Sequence, residues 1–200
     1  EIMYHPASLP GNTNQADAFE YIELKNISPT VTLDLRGVSF INGVSFNFTG
    51  SAVTNLAPGQ RVLVVADLAA FAARYGSGLT VAGQYAPYSL ENRGERIQLV
   101  DAGGEEVLDF SYDNAWHPIT DGAGFSLVAV DENAEPDAWN RKSQWRPSGQ
   151  VHGAPGAADA AAPSIAPVLI TEALTRTEAP PPTDSSELHN PTASPVNIGG

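Results

Sequence analysis

Cysteine is absent from the 200-residue chain, which excludes a disulfide framework, a thiolate metal site and a cysteine nucleophile. Basic residues are scarce: 10 Lys and Arg stand against 23 Asp and Glu, a formal net charge of −13. That balance disfavours sequence-independent nucleic-acid binding, which needs clustered cations to displace counterions. It disfavours an anionic membrane surface for the same reason. No apolar run approaches the ~18 residues of a membrane-spanning helix, and no secretory leader is visible. A glycine-rich phosphate loop followed by Lys is missing. So is a nucleophile elbow: Ser126 follows Gly124 and Phe125, but position 128 is Val where a glycine is required. His5, His117, His152 and His189 are scattered without metal-ligand spacing. No catalytic residue and no cofactor is expected.

What the sequence does carry is alternation. In Tyr21-Ile22-Glu23-Leu24-Lys25-Asn26, Ile22 and Leu24 point one way while Tyr21, Glu23 and Lys25 point the other. That is the period of a strand with one face on a core. Ser28-Pro29 stops it, and Asn26 is placed to close an Asx-turn. Shorter alternating runs follow over 31–35 and 38–41. Asn42-Gly43 then gives a hairpin signal before Val44, Phe46 and Phe48, which share a face. Residues 61–66 are almost continuously apolar, the mark of a strand buried on both sides. Asp67 to Gly76 reads as the one helix, with Asp67 as N-cap, Leu68, Phe71 and Tyr75 at helical spacing, and Gly76 as the stop. Strands over 96–100 and 107–112 flank the turn at Asp101 to Gly104, and residues 125–130 form the last strong strand. Residues 131–156 read as polar, with Trp139 and Trp145 among them. Many short strands, frequent turns and one short helix predict an all-β fold, an antiparallel β-sandwich.

The opening pattern recurs. Glu1-Ile2-Met3-Tyr4 and Glu23-Leu24-Lys25-Asn26 are echoed by Glu172-Ala173-Leu174-Thr175 and Glu187-Leu188-His189-Asn190, in the same order. Three segments are therefore expected: a domain over 1–156, an Ala/Pro-rich linker over 157–167, and the truncated start of a second copy over 168–200. Two strands without their sheet bury little apolar surface, so weak stability is expected for the last segment alone. The chain opens within a strand pattern, and an export signal is expected upstream of it.

Several motifs together resemble the lamin tail domain family in its bacterial, exported form. They are Glu1 to Tyr4, Tyr21 to Asn26, Leu33 to Gly37, Leu56-Ala57-Pro58-Gly59, Leu90 to Glu95 with Ile97 and Leu99, Asp121 to Leu127, and Gly153-Ala154-Pro155-Gly156. The resemblance spans residues 1 to about 156 in unbroken order, and the segment from Val168 resembles the start of another such domain. It implies an immunoglobulin-like sandwich without the inter-sheet disulfide, and a non-catalytic module. It marks Tyr21, Ile22, Glu23, Leu24, Asn26, Gly37, Gly94, Glu95, Gly122, Gly124, Ser126, Pro155 and Gly156 as structural signature positions. Trp139 and Trp145 both suit a single late tryptophan position, with Trp145-Arg146-Pro147-Ser148 the closer match. Glu23 is expected to accept backbone amides from a neighbouring loop.

Two ligand sites remain open in the sequence. Asp131, Asn133 and Glu135 alternate as Ca²⁺ ligands would, yet no glycine stands at the sixth position and no distal bidentate Glu follows. A solvated acidic loop is the stronger reading. Tyr85, Tyr88 and Trp116 suit either a sugar platform or the core, and the core is favoured. The expected function is a structural or interaction module of a larger exported bacterial protein, spacing or docking its neighbours or attaching to the cell surface. Its expected partner is a protein or cell-surface component, with no nucleic acid and no membrane span, and the isolated domain is expected to be monomeric and extracellular. The alternative is a surface module for carbohydrate or calcium.

Overall fold

The structure is a computed structural model that describes residues 1–8, 16–86, 89–160, 168–174, 185–193, 195, 196 and 198. The chain divides into two compact units, Glu1–Pro163 and Ser164–Gly200.

The first unit contains β1 (Ile2–Met3), β2 (Tyr21–Lys25), β3 (Leu33–Asp34), β4 (Ser39–Asn42), β5 (Phe46–Asn47), β6 (Asn55–Leu56) and β7 (Arg61–Val65). The helix α1 (Leu68–Tyr75) follows, then β8 (Val81–Gln84), β9 (Arg96–Val100), β10 (Glu106–Ser111), β11 (Leu127–Ala129) and β12 (Trp145–Pro147). Six strands form one sheet in the order β12-β11-β1-β2-β7-β8, and four form a second in the order β10-β9-β4-β5. Ile2, Ile22, Val64, Leu127 and Trp145 of the first sheet share one core with Phe40, Ile97, Leu99 and Phe110 of the second. This is the all-β sandwich that the alternation predicts, in the immunoglobulin-like form that the resemblance implies.

The strand pattern is kept at β2, with one addition. Ile22 is buried and Leu24 packs against the sandwich core, as expected. Tyr21, on the opposite face, is buried too, because α1 covers it. Met3, Tyr21, Leu63, Val65 and Phe71 form a second apolar cluster, with Tyr21 edge-on to Phe71 at 5.8 Å. The helix forms where its cap predicts: Asp67 accepts the Ala70 amide at 2.8 Å, and Gly76 ends it at φ +83°. Phe71 is its buried residue; Leu68 is exposed, which corrects its place in the apolar stripe. Because α1 carries the chain back across the sheet, β8 pairs with β7 in parallel, the one departure from an antiparallel arrangement among the described pairings.

Other boundaries shift for local reasons. The run over 31–35 is reduced to β3, whose two residues are exposed, while Leu35 turns into the core. The Asn42-Gly43 signal does not give a two-residue hairpin: Phe40 pairs with Phe46, so the connection spans the five residues between them. A register irregularity between Phe40 and Asn42 lies on the other side of β4, in its pairing with β9. β12 lies in the stretch read as polar, beyond the last strong strand, and is paired to β11 through Leu127↔Pro147 and Ala129↔Trp145. The β10 edge is closed by a side chain: Asn140 accepts the Ser111 amide at 2.9 Å, a guard against strand addition.

In the second unit, β13 (Leu169–Leu174) pairs antiparallel with β14 (Ser185–His189), and all the residues of both strands are exposed. No helix among the described residues is long and apolar enough to cross a membrane.

Candidate functional site

The signature residues converge on the last stretch of the first unit, which is strapped across the start of β1 and β2. Glu1 and Glu23 lie directly opposite each other, exchanging both backbone hydrogen bonds: the Glu23 amide donates to the Glu1 carbonyl at 2.8 Å, and the Glu1 amino group to the Glu23 carbonyl at 3.2 Å. Two like charges in that position repel unless donors meet them. The donors come from elsewhere in the fold. Glu1 Oε1 accepts the Tyr21 hydroxyl, the Ser126 hydroxyl at 2.7 Å and the Ala154 amide at 3.0 Å. Glu23 accepts the Gly156 amide and faces Arg61 Nε at 3.2 Å. The expectation that Glu23 receives a loop amide is met. Burial holds its carboxyl above the ordinary range, against the opposing pull of the Gly156 amide and Arg61.

The strap is fastened along its length. Tyr75 and Tyr21 both donate to the His152 carbonyl, at 3.0 and 3.4 Å. Gly153 follows with φ +73°, and a β-carbon there would collide with Glu1, Tyr21 and Ser126, so only glycine fits. Arg61 reaches past Glu23 to the Ala157 carbonyl at 3.0 Å and to Glu132 at 2.9 Å. Beyond the expected boundary at Gly156, the buried Asp159 carboxylate accepts the Gly149 amide at 2.9 Å and pairs with Arg146. Residues 157–160 therefore belong to the domain's closure. A groove of about 570 Å³, lined by Lys25, Arg61, Leu63, Leu79 and Gly156, runs beside the strap.

The remaining signature positions build the scaffold. Asn26 is buried and ties three segments together: Nδ2 donates to the Val31 and Leu56 carbonyls, both at 2.8 Å, and Oδ1 accepts the Ser28 amide at 2.9 Å. The last of these is the expected Asx-turn. Asn26→Ala leaves those carbonyls without their donor, and a loss of roughly 2–4 kcal/mol is expected in a urea melt. A change within 0.5 kcal/mol would refute the tie. Gly94, at φ +109°, sits so close to the Tyr112 carbonyl that no side chain fits. Glu95 accepts the Glu91 amide at 2.8 Å and the Tyr112 hydroxyl at 3.2 Å. Gly37, Gly122 and Gly124 occupy turns at positive φ, and Pro155 lies within the strap. Ser126 is fully buried, its hydroxyl committed to Glu1.

Sequence reasoning missed one group altogether. Glu20, just ahead of β2, is completely buried and its Oε2 accepts the Tyr85 hydroxyl at 2.9 Å and the Leu90 amide at 2.6 Å. Its other oxygen is buried, and among the described residues it has no hydrogen-bond partner. Desolvation pushes its pKa up to about 9 despite those donors. Nothing in the alternation distinguishes Glu20 from a solvated strand-end carboxylate.

The open ligand sites fare differently. Asp131 Oδ1 accepts the Asn133 amide at 2.9 Å, and Glu132 between them is held by Arg61 and Lys25. Glu135 only precedes the 3₁₀ turn at Pro136–Asn140. Among the described residues no three His, Cys, Asp or Glu side chains are grouped to hold a metal ion. Tyr85 is buried with its hydroxyl on Glu20, and Trp116 packs partly buried against the core, so neither presents an exposed platform. Tyr88 lies outside the described residues. Trp145 is buried on β12, and Trp139 packs beside it at 6.0 Å.

Sandwich, strap and buried signature residues together define an immunoglobulin-like domain whose polar side chains serve its own closure. The family described as Lamin Tail Domain matches residues 1–114, and the chain belongs to that family. The family is one of immunoglobulin-like interaction domains not known as catalytic. No curated protein matches the chain, and no solved structure does either.

Proposed function

We propose that this lamin tail domain is a non-catalytic module of a larger exported bacterial protein, working outside the cell to space or dock neighbouring domains or to attach them to the cell surface. The observation that carries the reading is a repeat in register. In the first unit Ile2 pairs with Ile22 and Met3 with Tyr21. In the second, the matching residues pair in the same way, Ala173 with Ser186 and Leu174 with Ser185. An Ala/Pro-rich stretch separates the two, so the second hairpin reads as the opening of another domain in series. Modules in series with sealed polar sites suit spacing and docking better than chemistry. Its partner on this reading is a protein or a cell-surface component, and the domain is a monomer.

Labelled chain 1–200 tests this when titrated against bacterial cell envelopes, a glycan array and Ca²⁺, with sedimentation recorded alongside. The expected result is a monomer that binds envelopes saturably, loses that binding after the envelopes are shaved with protease, and ignores glycans and Ca²⁺. Saturable binding of a glycan or of Ca²⁺ would replace this reading with the carbohydrate or calcium module. Turnover of hydrolase or kinase substrates would remove both.

A further inference from the structure

The carboxylate pair that holds the strap has a counterpart in the second unit. Glu172 and Glu187 are the sequence equivalents of Glu1 and Glu23, and they are register partners on β13 and β14. Cross-strand partners project on the same face, so two like charges again stand side by side. In the first unit the same arrangement is met by the amides of Ala154 and Gly156, two hydroxyls and Arg61. In the second, Glu187 Oε1 accepts the Thr171 hydroxyl at 2.7 Å, and among the described residues the Glu172 carboxylate forms no hydrogen bond or ion pair. The hairpin's apolar side chains, Leu169, Ile170 and Leu188, are 52%, 70% and 51% exposed. A repulsive pair beside uncovered apolar residues is costly alone, and it is the arrangement a closing segment neutralises in the first unit.

We infer that Glu172 and Glu187 form a second carboxylate lock, whose ligand is a pair of backbone amides on a closing segment of the Gly-Ala-Pro-Gly kind. This rests on reading 168–198 as the opening of another lamin tail domain. Each domain in the series is then closed by its own entry hairpin, which brings the exit of one module next to its entrance.

The test completes the second domain within the full chain. Residues 38–160 are repeated after Gly200, the equivalent of Gly37, so that β13 and β14 take the places of β1 and β2. The second copy is expected to fold, and Glu172→Gln with Glu187→Gln to speed exchange of its Ala154- and Gly156-equivalent amides about tenfold or more, as for a lost charge-assisted bond. Glu23→Gln is expected to do the same to the Gly156 amide of the first copy alone. If the second copy folds and its strap amides ignore Glu172→Gln and Glu187→Gln, the lock is refuted and the domain reading stands. If it does not fold, Ala173→Ile, Ser185→Tyr and Ser186→Ile restore the core residues of β1 and β2. Continued failure to fold then overturns both the domain reading and the lock. Ca²⁺ binding to chain 1–200 that both glutamine variants abolish would assign the pair to a cation and overturn the amide ligand.

Discussion

Glu20→Gln is expected to make this domain progressively more stable than its parent as the pH rises from about 4.5 to about 9. The carboxyl is buried between the sheets, and burial raises its pKa from 4.5 to about 9. Between those values the folded chain holds a proton that the unfolded chain has released. Stability linked to Glu20 is therefore fully present below about pH 4.5 and is lost as the pH climbs towards 9. The slope for one such group is about 1.4 kcal/mol per pH unit, so roughly 3 kcal/mol separates pH 4.5 from pH 7. Glutamine imitates the protonated acid: its oxygen can accept from Tyr85 and Leu90, and its amide occupies the place of the unpartnered oxygen. Other titrating groups, Glu95 among them, act alike in parent and variant and cancel in the difference. Urea melts of both chains at pH 5, 6, 7 and 8 measure it. Parallel pH profiles would show that Glu20 is ionised in the fold and solvated.

A chain cut after Asn114, where the family match ends, is expected to be unfolded. The cut removes β11 and β12 from the six-stranded sheet and leaves β1 an edge strand without its Leu127 partner. It also removes Trp145, which is 4% exposed, and Leu127, which is fully buried. Losing one large core side chain costs about 2–5 kcal/mol, and a typical domain has only about 5–15 kcal/mol in all. The strap goes as well, leaving Glu1 and Glu23 opposite each other without the amides of Ala154 and Gly156. Circular dichroism and thermal melts of 1–114 beside 1–160 decide the matter. The longer chain should melt cooperatively, and the shorter should give no near-ultraviolet signal. A cooperative melt of 1–114 within a few degrees of 1–160 would make the C-terminal third an accessory.

The parts of this fold legible in the sequence are those set by local rules. Period-two alternation located β2, the apolar run located β7, and Asp67 with Gly76 bounded α1 to the residue. Asn26 and Glu23 were legible because an Asx-turn and an amide-accepting carboxylate are short-range expectations. What escaped depends on partners far along the chain. Tyr21 reads as the solvent face until α1 folds over it. β12 has no alternation of its own, being held by pairing to β11 and by the burial of Trp145. Glu20 looks like any charged residue before a strand, and Asp159 like part of a linker, until Tyr85 and Leu90, or Gly149 and Arg146, arrive beside them. The strap itself is a meeting of residues 1, 23, 61, 126 and 153–157, which no window of sequence contains.

Limited proteolysis of the full chain, followed by intact-mass measurement, tests most directly whether one strap-sealed domain precedes a separate unit. The account predicts a resistant product that begins at Glu1 and ends between residues 160 and 168, with residues 115–159 uncut. A resistant product ending near residue 114, with rapid cleavage between 115 and 159, would contradict it.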